Sequence, residues 1–294
     1  MKSWIAVTLT ALLVLLPGRL SAQNMEKEIK EIAEKAKGHV GVGLYIVESK
    51  RSVWMNKNDH FPMQSVYKFP IGMAVLAKVD AGEIGLDEMV TVQKSDLIGP
   101  AQHSPIRDMH PEGNFQMSVR ELLRYAVSES DGSASDVLMR RVGGAKQVMK
   151  FLQRIGISNI RVMDTEYDIG SNDTVQYRNW ATPSDAIKLL NTFYKGKGLK
   201  PGSRELLMKM MTETETGMNR LKGLLPKDAA VAHKTGSSRT VNGKTAATND
   251  IGIISLPNGK HLLAVVFVSD SQANDSVREE VIAQIARLGW DKLN

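Results

Sequence analysis

The chain has no cysteine. Structural disulfides and a lipid carried on an N-terminal cysteine are therefore excluded, and the fold must rest on its core alone. Its six histidines form no His-x-His or His-Glu-x-x-His set, so the usual zinc patterns find no support. Gly-x-Ser-x-Gly is missing and no His neighbours a candidate serine elbow, which argues against a Ser-His-Asp hydrolase. Basic runs and RNA-binding aromatic motifs are lacking, so nothing points to nucleic acid. Gly243-Lys244-Thr245 invites a phosphate-loop reading, but the glycine that motif needs first falls at Ser238. Asn242-Gly243 reads better as a hairpin turn. Internal repeats and low-complexity linkers are also absent.

One long apolar run is present, Trp4 to Leu16, behind the positive Met1-Lys2 end. It is short for a membrane span, and Ala22 supplies a small residue for cleavage. Residues 1–22 are expected to be a secretory leader, and the mature protein periplasmic and free of the membrane. Loss of Lys2 and Arg19 with the leader takes the formal net charge from +6 to +4. The remaining 23–294 stretch is long enough, at 42% hydrophobic residues overall, for one sizeable core.

Periodicity divides that stretch. Residues 24–37 read as an amphipathic helix stopped at Gly38. Two strands follow, Val40–Val47 and Ser52–Asn56. From about 63 to 221 the apolar spacing is mostly helical, as in Leu122–Val127, Ser135–Val142 and Ala145–Ile155. Strands return at Ala229–Ser237, Thr248–Leu256 and His261–Ser269, and residues 274–290 close as a helix. The expected fold class is α/β (α+β): a five-stranded antiparallel sheet flanked by helices (about 23–62 and 222–294) plus an all-helical lobe (about 63–221). A cleft between such lobes is a favoured ligand site.

Three short patterns carry chemistry. In Ser65-Val66-Tyr67-Lys68 the hydroxyl and the amine share a helix face, and Pro70 fits a helix start here. Ser65 would then sit at the positive end of a helix, with an amine beside it able to take its proton. Alone, Ser-x-x-Lys is a common solvated face. In Ser130-Asp131-Gly132 either of the first two residues can be an ordinary helix cap; the functional alternative is a second hydroxyl that hands a proton to a leaving nitrogen. In Lys234-Thr235-Gly236-Ser237 strand alternation separates Lys234 and Gly236 from Thr235 and Ser237, and the glycine lets a ligand approach the backbone. His233 then points the other way and reads as structural.

Taken in order, Ser-x-x-Lys, Ser-Asp-x and Lys-Thr-Gly resemble the motif set of class A β-lactamases and penicillin-binding proteins. Glu166, in the polar loop 166–179 after Arg161-Val162-Met163-Asp164-Thr165, resembles the deacylation base of the class A branch. Phe61-Pro62-Met63-Gln64-Ser65, Gln176-Tyr177, Asn179-Trp180-Ala181-Thr182-Pro183 and Thr216 to Gly223 are similar to the branch with PER, VEB and the Bacteroides-type cephalosporinases, where extended cephalosporin hydrolysis is common. The resemblance covers nearly the whole mature chain. It implies an antibiotic-resistance hydrolase with catalytic Ser65, Lys68, Ser130 and Glu166, and substrate contacts at Lys234, Thr235, Gly236 and Ser237. Arg220 is expected to reach the Lys-Thr-Gly strand. A small-molecule β-lactam is the expected partner, with no cofactor and no metal, acting on a monomer.

Two residues depart from the resemblance. Gly132 stands where most relatives carry an Asn that contacts substrate and Lys68, so both contacts are expected to be missing. Gly170 replaces the Asn that helps hold the hydrolytic water. Two competitors follow: a D-Ala-D-Ala peptidase, which lacks the Glu166 loop, and a non-catalytic sensor that β-lactams acylate for good. His103, in the segment 99–105, reads equally as a cleft-lining residue or a solvated loop histidine.

Overall fold

A computed structural model describes residues 17–293. Most of the expected leader, residues 1–16, lies outside the described residues. The first helix, Pro17–Glu34, runs through Ala22, the expected cleavage point. Among the described residues no helix is long and apolar enough to cross a membrane.

The main sheet is antiparallel, in the order Ser52–Met55, His39–Ile46, His261–Ser271, Lys244–Ser255, Val231–Ser237. These are the five expected strands, joined by a two-residue sixth, Thr240–Val241, on Lys244–Thr245. The turn between them is Asn242-Gly243, both with positive φ (51° and 74°), as a tight two-residue hairpin requires. The central strand His261–Ser271 shows why the sheet is covered on both faces. Alternate residues Ala264, Val266 and Val268 join the terminal helices Pro17–Glu34 and Asp275–Leu293 in one core, with Met25, Ile29 and Ile282. Leu263, Val265 and Phe267 point the other way, into the larger core shared with the helical lobe.

The helix Lys68–Asp80 runs through the middle of that lobe and is buried from Lys68 to Leu76. An all-round apolar helix is what a lobe centre demands. Helices Val119–Val127, Gly132–Val142 and Ala145–Arg154 pack around it. The helix Pro183–Tyr194, although inside the 63–221 segment, packs on the sheet against His39–Ile46 and His261–Ser271. A strand pair, Met89–Val92 with Phe115–Ser118, and a small three-stranded sheet in the order Phe61–Pro62, Trp180–Ala181, Ile160–Arg161 also interrupt the helical pattern. Both are too short, and the first too exposed, to leave an alternating apolar run in the sequence.

Candidate active site

Ser65 lies at the seam of the two lobes. The chain leaves Phe61–Pro62, makes a 3₁₀ turn over Gln64–Tyr67 and enters the helix Lys68–Asp80. The expected helix start is thus a tighter turn first, and Pro70 sits where its missing N–H is harmless. The turn is held from three sides. Asn249 on the sheet donates its side-chain amide to the carbonyls of Pro62 (2.7 Å) and Met63 (3.1 Å). The N–H of Met63 donates to Asn179 O (2.9 Å). Gln64, strained at φ +47°, donates from Nε2 to Gln176 Oε1 (2.5 Å). Gly236 packs edge-on against the same turn: a Cβ there would overlap Met63 O and stand 3.2 Å from Ser65 N. The glycine is therefore what brings the Val231–Ser237 strand next to the serine.

Lys68 is buried one turn further on. Its Nζ donates to Ser130 O (2.6 Å) and lies 3.0 Å from Glu166 Oε1. The second contact is off the line of a hydrogen bond, so Oε1 keeps an unused acceptor site. Asp131 takes the helix cap that the sequence left open between two residues. Its carboxylate accepts from Ala134 N (2.8 Å) and Ile106 N (2.7 Å). Ser130, at φ +61°, is left with its hydroxyl free to receive a hydrogen bond from Lys234 Nζ (2.8 Å).

Glu166 opens the short helix Glu166–Ser171, capped by Thr165 and Asp168. Its backbone N–H and that of Tyr167 donate to the two carboxylate oxygens of Asp136 (2.8 and 2.9 Å). The far end of the segment is fastened by buried Asn179, which accepts from Met163 N (2.7 Å) and Asp164 N (3.0 Å). Sequence reasoning missed Asp136; the only signal was an acid set between Ser135 and Val137, both buried, in the helix Gly132–Val142.

The Asp136 carboxyl is pushed up to about 7, by burial first and by the Glu166 charge second, against its two backbone hydrogen bonds. The folded state therefore holds this proton more tightly than the unfolded chain, where the value is 3.8. That stabilisation is present below 3.8 and lost as pH rises through about 7. We expect Asp136→Asn to flatten the pH dependence, so that the Tm gap between variant and wild type moves in the variant's favour from acid to neutral pH. Thermal melts across this range check it; parallel curves would remove Asp136 from the role.

Ser65, Lys68, Ser130, Glu166, Thr235, Gly236 and Ser237 all line one cavity of about 610 Å³. His103 lines it too, its Nε2 within 2.8 Å of Glu129 O. Lys234 and Arg220 do not line it. Lys234 is fully buried behind Ser130, and burial with Lys68 nearby pushes its ammonium well below the ordinary lysine range. Arg220 also lies behind the strand, donating to Gly236 O (3.2 Å) and Ser237 Oγ (2.7 Å) and pairing with Glu279 (3.2 Å). Strand alternation gives the side on which Lys234 lies but not its depth. His233 is structural as expected, buried against Asp250 (2.9 Å). Thr216, unforeseen, shares a hydrogen bond with Thr235 (2.6 Å) at the cavity wall.

Residues 24–293 match the β-lactamase enzyme family. The chain belongs to that family. The VEB-1 β-lactamase of Pseudomonas aeruginosa is 37% identical over 292 residues, 99% of this chain and 97% of that protein. The extended-spectrum β-lactamase PER-1 of the same organism is 39% identical over 272 residues, 92% of this chain and 88% of that one. A solved β-lactamase from Chitinophaga pinensis is 46% identical, with a TM-score of 0.89 over 92% of this chain and 100% of the other. The protein is a class A serine β-lactamase of this branch, a hydrolase of β-lactams that supports antibiotic resistance.

At Gly132 the space that a side chain would need in this β-lactamase is taken. A Cβ there would overlap Ile98 Cδ1 and stand 3.2 Å from Glu166 Cγ. Gly132→Asn is therefore expected to cost about 1–3 kcal/mol of stability through overpacking, read by denaturant titration. Adding Ile98→Ala should recover the fit. The double variant should then change kcat/KM between cephalosporins that carry an acylamino side chain and those that lack one, because a new hydrogen bond acts selectively. Unchanged ratios would show that position 132 does not reach the substrate.

Proposed function

We propose that this β-lactamase works through a Ser65 acyl-enzyme. The observation that carries the reading is the meeting of Ser65, Lys68, Ser130 and Glu166 in one cavity, with Lys68 in contact with both Ser130 and Glu166. The Ser65 oxygen attacks the lactam carbonyl carbon. Its proton has two routes, to Lys68 directly or through water to Glu166. The backbone N–H groups of Ser65 and Ser237 face the developing oxyanion. As the ring C–N bond breaks, the nitrogen takes a proton from Ser130, Ser130 recovers the proton that Ser65 gave up by way of Lys68, and the buried Lys234 ammonium holds that hydroxyl in place (2.8 Å). Glu166 then takes a proton from water, whose oxygen adds to the ester carbon. The Ser65 oxygen leaves and recovers a proton, so one water is consumed per ring opened.

The substrate carboxylate rests on Thr235 and Ser237, with Lys234 and Arg220 supplying positive charge from behind. The extended-spectrum name of PER-1 supports cephalosporins with large side chains as substrates here too. Residues 1–22 act as the leader, residues 23–294 form one catalytic unit, and the mature enzyme works as a periplasmic monomer without a cofactor. Turnover of a chromogenic cephalosporin by the purified protein tests the whole reading. A covalent adduct that persists without turnover would instead make the protein a sensor. Cleavage of a D-Ala-D-Ala peptide with a trapped β-lactam would make it a peptidase.

A further inference from the structure

The turn that carries Glu166 has a gap in its side chains at Gly170, and something else fills it. A Cβ built on Gly170 would overlap Gln102 Oε1 and stand 2.5 Å from Gln102 Cδ. The Gln102 carboxamide thus occupies the space that a side chain at position 170 would use, although it comes from a different loop. Its Nε2 donates to the backbone carbonyl of Glu166 (2.5 Å). Its Oε1 has no donor among the described residues, and Gln102 lines the cavity that holds Ser65 and Glu166.

The loop that carries Gln102 is itself fixed. The N–H of Gly132 donates to His103 O (3.0 Å), Arg107 donates to Gln102 O (2.8 Å), and the Gln102 N–H donates to Gly99 O (3.0 Å). The amide is therefore presented from a braced backbone tied to the Ser130-Asp131-Gly132 segment. Asp136 holds Glu166 by its N–H, and Gln102 holds it by its C=O. The Glu166 backbone is gripped at both ends of the residue.

We propose that Gln102 is the positioning residue for deacylation in this enzyme, fixing Glu166 from the 99–105 loop and supplying the carboxamide that Gly170 lacks. The proposal rests on Glu166 being the deacylation base. A general base works only within hydrogen-bond reach of the proton it takes, and small misplacements are costly. Gln102 touches Glu166 and not Ser65, and Lys68 offers the Ser65 proton a route that bypasses Glu166, so loss of Gln102 falls on the second half-reaction, which has no base but Glu166. The Gln102 carboxamide and a side chain at position 170 compete for one space, so with both present the carboxamide has to shift from where it holds Glu166.

Single-turnover and steady-state kinetics on the mature enzyme, with mass spectrometry of the acyl-enzyme, test this. Gln102→Ala should leave acylation unchanged and slow deacylation by about 100-fold, the scale of a misplaced catalytic group. Gln102→Glu keeps the size but loses the Nε2 donor, and should slow deacylation likewise; wild-type deacylation there would reduce Gln102 to a space filler. Gly170→Asn should be damaging alone, yet in the Gln102→Ala background it should restore most of the deacylation rate. Such sign reversal marks two residues sharing one site. Losses that multiply in the double variant, or equal slowing of both half-reactions in Gln102→Ala, would overturn the proposal. Glu166→Ala serves as the control. If it traps the acyl-enzyme while Gln102→Ala does not, this proposal alone fails; if it deacylates normally, the assignment of Glu166 fails first.

Discussion

Glu166→Ala should convert the enzyme into one that is acylated and stays acylated. Deacylation is expected to fall by about 10²–10⁴-fold, the usual cost of losing a general base. Acylation should persist, because Lys68 keeps its hydrogen bond to Ser130 O and remains in the cavity as an acceptor for the Ser65 proton. Mass spectrometry should therefore show protein plus the whole drug, stable for minutes or longer. The loop offers no easy substitute: Asp173 lines the cavity but is paired with Arg239 at 2.7 Å. Asp168 is spent in the cap with Thr165, and Asp164 pairs with Arg178 at 3.2 Å. Neither lines the cavity, whereas Glu166 does. Normal turnover by Glu166→Ala would move the base elsewhere, with these two acids next to be replaced.

Ser65→Ala should have the larger effect on turnover, a loss on the order of 10⁶ in kcat, as for nucleophile removal in other serine hydrolases. No covalent adduct with penicillin should form. The fold should be indifferent to the change. Ser65 Oγ makes no hydrogen bond among the described residues, and the turn is held instead by Asn249, Asn179 and Gln176 acting on its neighbours. Stability should thus stay within about 0.5 kcal/mol of wild type. An adduct on the variant, located by peptide mapping, would name a different nucleophile.

What could be read from the sequence follows a physical division. The strand His261–Ser271 announces itself because each of its faces meets a different core, and the Asn242-Gly243 turn because its two positive φ angles demand those residue types. Ser65 and Lys68 are legible because i and i+3 meet on any helical turn. Gln102, Asp136 and Asn249 are not legible in this way. Each recognises backbone groups far away in the chain, and such contacts leave no local period. The choice between Ser130 and Asp131 as cap was undecidable for a related reason: both residue types cap helices, and only the position of Ile106 N and Ala134 N selects the aspartate. Lys234 was placed on the correct strand, but its distance from solvent depends on the lobe packed over it.

The order of strands in the sheet also governs how the protein comes to exist. His39–Ile46 can pair early with Ser52–Met55, but its other edge waits for His261–Ser271, with Val42 meeting Val266. Until the last strands are made, that hairpin presents an open edge and an uncovered apolar face. The helix Asp275–Leu293, which covers part of that face, is made after all of these strands. Such non-local pairing is slow even when all of its strands have been made. The same delay leaves the open edge of the hairpin available to pair with another copy of the chain.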